Sequence, residues 1–111
     1  FITVLFESAQ AFEYLDDIAS MDGIDSLSIG PQDLAQNLGV FGTPDQERVL
    51  DEKRTEILAA TKKHGKTCAM MVTSAAQAHQ LRDDGVLIVN YSSDVNILID
   101  GYKVVLSELR E

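Results

Sequence analysis

Glu7 and Asp33 each stand just past the end of an apolar run. Phe1-Ile2-Thr3-Val4-Leu5-Phe6 has the composition of a buried strand, and Glu7 follows it. Ile24-Asp25-Ser26-Leu27-Ser28-Ile29 reads the same way and leads into Gly30-Pro31-Gln32-Asp33-Leu34. In an α/β protein with a parallel sheet, the carboxyl ends of the strands form the ligand-binding edge. Neighbouring parallel strands lie roughly 4.8 Å apart, so side chains from adjacent strand ends can converge. Two carboxylates there can hold a hard divalent cation, because magnesium sites commonly leave their other positions to water and substrate. The same two residues have a plainer use: Glu7 starting a helix near its positive end, and Asp33 capping a short one. Gly30 permits close backbone approach, and Pro31 fixes its own φ and has no N–H. The amides of Gln32, Asp33 and Leu34 then face outward at a helix start, which suits a carboxylate or phosphate. An ordinary strand-to-helix turn would have the same sequence.

The elements that must position these residues alternate strand with helix four times. A strand over about residues 1–6 precedes a helix from about Ala9 to Ser20, with Phe12, Leu15, Ile18 and Ala19 on one face. Gly23 suits a left-handed position beyond that helix. The second strand covers about 24–29, and the stretch from Gly30 to Gly42 has room for a short helix near Leu34–Leu38. Thr43-Pro44-Asp45-Gln46 predicts a capping box, with Thr43 at the N-cap, Pro44 at N1 and Gln46 at N3. That helix runs to about His64, with Lys62, Lys63 and His64 in its last turn and Gly65 beyond. Thr67–Val72 is the third strand, and Ser74-Ala75-Ala76-Gln77 starts the next helix, which Gly85 closes. Val86–Tyr91 is the fourth strand. Asp94 is the expected cap of a last helix whose apolar face holds Leu98, Gly101, Tyr102, Val105 and Leu109. Continuous apolar strands joined by helices imply a parallel sheet covered on both faces.

The chain has 111 residues, 45% of them apolar, which suits one globular domain over 1–111. A net charge of −9 argues against nucleic-acid and anionic membrane partners, which select clustered Lys and Arg. No stretch has the length of a membrane span or the pattern of a secretory signal. The single Cys68, inside an apolar run, is expected to be a buried thiol in a reducing compartment, the cytoplasm. The chain opens on a strand without an initiating Met, as expected of a processed chain or a piece of a longer one.

Glu7-Ser8, Leu15-Asp16-Asp17-Ile18, Gly23-Ile24-Asp25, Ile29-Gly30-Pro31-Gln32-Asp33-Leu34 and Leu38-Gly39 fall in an order that resembles the HpcH/HpaI class of pyruvate-dependent aldolases. Gly42-Thr43-Pro44, Gly65-Lys66 and Gly85 also fit, so the resemblance covers essentially the whole chain. It implies a parallel (βα)4 segment, the second half of a (β/α)8 TIM barrel. It implies that Glu7 and Asp33 ligate a divalent metal, Mg2+ or else Mn2+ or Co2+. It implies further that Gly30, Pro31, Gln32 and Asp33 hold the pyruvate carboxylate, and that Met71 lines the pocket.

The activity implied is cleavage of 4-hydroxy-2-oxo acids to pyruvate and an aldehyde, in a homo-oligomer. The family's catalytic arginine and histidine belong to the other half of the barrel, so no catalytic residue is expected in this chain, and the fragment alone is expected to be inactive. Leu5 stands where many members of the family carry Gln. A citrate-lyase-type carbon–carbon lyase and a non-catalytic βα assembly module are the alternatives. His64 and His79 are expected to be structural, Lys66 a solvated charge, and Tyr91-Ser92-Ser93-Asp94 a loop at the upper end of the last strand.

Overall fold

The computed structural model describes residues 1–110. Four strands, β1 (Thr3–Phe6), β2 (Ser26–Ile29), β3 (Thr67–Val72) and β4 (Ile88–Tyr91), form one sheet in the order β1-β2-β3-β4. Every pairing is parallel, with Phe6 opposite Ile29, Ser28 opposite Ala69 and Met71 opposite Asn90. The connections carry the helices α1 (Ala9–Glu13), α2 (Leu15–Ser20), α3 (Pro31–Asn37), α4 (Gln46–His64) and α5 (Ala75–Asp83), and α6 (Asp94–Leu109) follows β4. Strands of neighbouring rank pair in sequence order, so the fold is four consecutive βα units, a half-barrel.

Alternation along the strands divides the sheet into two unlike faces. Phe6, Leu27, Ile29, Cys68 and Met70 point to the helix side, where they pack with Leu15, Leu34, Leu50 and Ile57 in one buried cluster. Each such apolar side chain contributes roughly 1.5–3 kcal/mol when fully buried. The other face carries Leu5, Ser26, Ser28, Ala69 and Met71, and here the expected two-sided covering is not met. Ser26, Ser28 and Ala69 are buried in the floor of this face, but Leu5 and Met71 above them are about half exposed. Four strands do not close on themselves, so the inner face stays open.

The helix expected over Ala9–Ser20 is two helices broken at Tyr14, whose amide turns back to the Ala11 carbonyl. The expected apolar face survives the break: Leu15 and Ala19 are buried, and Phe12 packs on Phe6 with ring centroids 5.4 Å apart. The Thr43 capping box is not formed. Asp45 occupies the N-cap and α4 begins at Gln46, because the Thr43 hydroxyl donates to the Val40 carbonyl instead. Gln46 does reach back, accepting the Gly42 amide at 2.7 Å. Ser74 caps α5 as expected, accepting the Gln77 amide, and the Gln77 side chain accepts the Thr73 amide. Gly23, Gly65 and Gly85 have the positive φ expected of helix stops.

Lys66 is more than a solvated charge, since its ammonium donates to the Met21 carbonyl just beyond α2 at 2.8 Å. His64 and Lys63 lie at the end of α4 as expected, and both also reach the Asp16 carboxylate of α2, at 2.7 and 2.6 Å. Cys68 is a buried free thiol, and burial pushes its pKa up to about 11. The largest departure is α6. Its apolar face is exposed throughout, and no residue of the helix is buried. The helix leaves β4 without packing along the sheet, which leaves Leu87, Val89 and Tyr91 exposed as well.

Candidate metal and keto-acid site

Leu5, Ser28 and Met71 lie on the open face of the sheet, and the two carboxylates stand at its carboxyl edge. The Gly30 amide donates to the Phe6 carbonyl at 3.1 Å, continuing the β1–β2 ladder by one residue and setting Glu7 beside Gly30. Glu7 needs that glycine. A Cβ on residue 30 would lie 2.7 Å from Glu7 Cγ and 2.9 Å from Cδ, closer than real side chains come. Asp33 sits in the first turn of α3, where Pro31 occupies the first helical position and Gly30 the N-cap.

Neither carboxylate caps a helix, although both stand near a helix's positive end. Ser8, not Glu7, caps α1, accepting the Ala11 amide at 3.3 Å. Gly30 caps α3 with no side-chain bond, so Asp33 is not its cap. The Leu34 amide is consumed by the Gly30 carbonyl at 2.9 Å, so the expected set of three outward amides reduces to those of Gln32 and Asp33.

One open cavity of about 440 Å3 is lined by Glu7, Gly30, Pro31, Gln32, Asp33 and Met71, together with Leu5, Ser28 and Ile29. The structure thus brings together all the residues singled out from the sequence as metal-ligating or substrate-binding. It also adds Asn90, Ser93 and Asn96, which line the same cavity from β4 and the start of α6. Asn90 carried a usable signal: it is a polar residue near the end of the apolar run Val86–Val89, the pattern that marked Glu7. Asn96 carried none, because its place depends on the turn into α6.

In that turn Ser92 has a φ of 53°, and its amide donates to the Val72 carbonyl at 2.8 Å. Ser93, rather than the expected Asp94, is the N-cap of α6, accepting the Asn96 amide. Asp94 Oδ1 instead accepts the Val95 amide next to it. His64 and His79 take no part in the cavity.

Among the described residues, no group of three or more His, Cys, Asp or Glu side chains gathers as a self-sufficient metal cage. Two carboxylates on an open edge fit a hard cation that keeps water or substrate oxygens in its remaining positions. They do not fit a closed structural zinc site, which takes four nitrogen or sulfur ligands.

A parallel half-barrel with two acidic side chains at its carboxyl edge belongs to the α/β-barrel class, whose members bind ligands at the strand ends. Residues 1–101 match the family described as HpcH/HpaI aldolase/citrate lyase, and the chain belongs to that family. It is 33% identical, over 86% of its length, to a 5-keto-4-deoxy-D-glucarate aldolase of Citrobacter koseri. A solved HpcH/HpaI aldolase/citrate lyase family protein from Burkholderia cenocepacia superposes with a TM-score of 0.82 at 33% identity over 98% of the chain. An HpcH/HpaI aldolase from Desulfitobacterium hafniense gives 0.88 at 24% identity over the whole chain, a likeness of fold. The chain spans 37% of the Citrobacter relative and 42–43% of the two solved chains.

Proposed function

We propose that residues 1–111 are one domain-sized unit of a divalent-metal-dependent aldolase, the second half of its barrel, cleaving a 4-hydroxy-2-oxo acid to pyruvate and an aldehyde. The observation that supports this most is the shared cavity, in which Glu7 and Asp33 sit beside the Gly30–Asp33 turn with both carboxylates uncommitted. Glu7 and Asp33 would hold the ion, which is Mg2+, or Mn2+ or Co2+ in its place. When bound, such an ion supplies Lewis-acid stabilisation of the negative charge that develops on the keto oxygen as the carbon–carbon bond breaks.

The chain's own part is binding and orientation. The Gln32 and Asp33 amides, at the positive end of α3, are placed to receive a carboxylate. Met71 and Leu5 give the cavity an apolar wall that limits water beside the reacting carbon. No side chain here serves as the proton-transfer acid or base, so the chain by itself is inactive, and the arginine and histidine come from the other half of the barrel. The protein works in the cytoplasm as a homo-oligomer. The exposed apolar face of α6 supports self-association, and the reduced Cys68 and the lack of a helix long and apolar enough to cross a membrane among the described residues agree with the compartment.

Mn2+ titration followed by electron paramagnetic resonance tests the reading. Glu7→Gln and Asp33→Asn should each weaken Mn2+ binding at least about tenfold, the scale on which metal sites respond to lost support. Unchanged affinity in both variants would leave a non-catalytic βα assembly module as the better reading. The family also embraces citrate lyases. In the complete protein, pyruvate release from a 4-hydroxy-2-oxo acid rather than from an acyl thioester separates the two lyase readings.

A further inference from the structure

The cavity has a second polar wall, across the sheet from Glu7 and Asp33. Asn90 lies on the inner face of β4, opposite Met71 in the register, and Asn96 is in the first turn of α6. Three strand spacings, roughly 14 Å along the sheet, separate the end of β1 from β4. Both asparagines line the cavity, and among the described residues neither carboxamide has a hydrogen-bond partner; only the Asn96 backbone amide is used, by Ser93. The turn at Ser92 brings α6 to the rim and so gives the Asn96 side chain its place there.

We propose that Asn90 and Asn96 are specificity-determining residues that bind the hydroxyl groups of the aldehyde portion of the substrate. The assignment rests on the reading of this cavity as the keto-acid site. A carboxamide offers both donors and an acceptor, which matches a hydroxyl group, itself donor and acceptor. No Lys or Arg lines the cavity, so recognition from this chain is by neutral hydrogen bonds. With the keto-acid end at Glu7 and Asp33, the distal carbons run along the open face toward β4. An alkyl chain lying there would strip water from two carboxamides and return nothing, so the wall selects for a hydroxylated chain over a plain one.

Binding of 4,5,6-trihydroxy-2-oxohexanoate and of 2-oxohexanoate to the full chain in Mg2+, followed by 1H–15N NMR, tests the proposal. The trihydroxy acid should bind about fivefold or more tightly than its unsubstituted counterpart, the worth of one neutral hydrogen bond or more. It should also move the side-chain amide signals of Asn90 and Asn96. Asn90→Leu and Asn96→Ala should each narrow the gap by weakening only the hydroxylated ligand. Equal binding of the two acids, or a gap unchanged in both variants, overturns the hydroxyl assignment alone. Failure of 2-oxohexanoate to bind at all overturns the keto-acid reading, and the assignment with it.

Discussion

The Glu7 side chain lies directly over the α-carbon of Gly30, and nothing larger than hydrogen fits between them. The first residue beyond β1 and the first beyond β2 are thus coupled sterically, and Gly30 is needed for space rather than for backbone freedom, since its φ is −91°. Gly30→Ala is therefore expected to swing Glu7 away while leaving the backbone in place. Mn2+ affinity should fall about tenfold or more. Unfolding stability should change by less than about 1 kcal/mol, because only a flexible side chain must move. A variant that keeps full Mn2+ affinity would show that Glu7 is not a ligand.

Ser92 is the one residue other than glycine with positive φ among the described residues. The left-handed region costs an L-residue with a Cβ roughly 1–2 kcal/mol. Ser92→Gly is expected to raise stability in urea by up to about 1 kcal/mol, after the greater flexibility of glycine in the unfolded chain is allowed for. Ser92→Val should lower it, since a β-branched side chain tolerates this conformation least. The same Val variant should shift the Asn96 signals, because this turn sets the start of α6.

Asp16 receives His64 and Lys63 from α4, and these bonds, the one from His64 foremost, hold its carboxyl below the ordinary carboxylate value. A carboxylate with a lowered folded-state pKa stabilises the fold above its unfolded value near 3.8, and that contribution disappears as pH falls through the lower folded value. Asp16→Asn should lower stability at pH 6 and lower it less at pH 2.5, below the unfolded value of 3.8. The effect is small because the Asp16 carboxylate and Lys63 are solvent-exposed, and it should weaken further in high salt. Parallel urea curves at the two pH values check the sign.

Helix α6 exposes half or more of Val95, Leu98, Tyr102 and Val105. A contiguous exposed apolar stripe of this kind is expected to be covered by association with another surface. Sedimentation velocity should show mass rising with concentration, and Leu98→Glu with Tyr102→Glu should shift the chain toward monomer. An unchanged distribution would place the contact elsewhere.

The order of strands and helices was legible in the residues themselves, because continuous apolar runs punctuated by Gly23, Gly65 and Gly85 act over a few residues and need no distant partner. The candidate ligands Glu7 and Asp33 and the Gly30–Asp33 turn were legible for the same reason. Each follows an apolar strand, and a parallel sheet sends strand ends to one edge. Membership of the family was carried by the order of those short segments.

Other features depended on groups far apart in the chain. Whether Thr43 or Asp45 caps α4 turned on a carbonyl at Val40, and the uses of Lys66 and His64 turned on Met21 and Asp16. An apolar stripe such as that of α6 specifies that a surface must be covered, not which surface covers it. Asn90 and Asn96 share a cavity with Glu7 and Asp33 only because the four strands pair in parallel and Ser92 turns α6 toward the rim. Spacing along the chain does not say which strands become neighbours, because strand pairing is fixed by contacts between residues far apart in sequence.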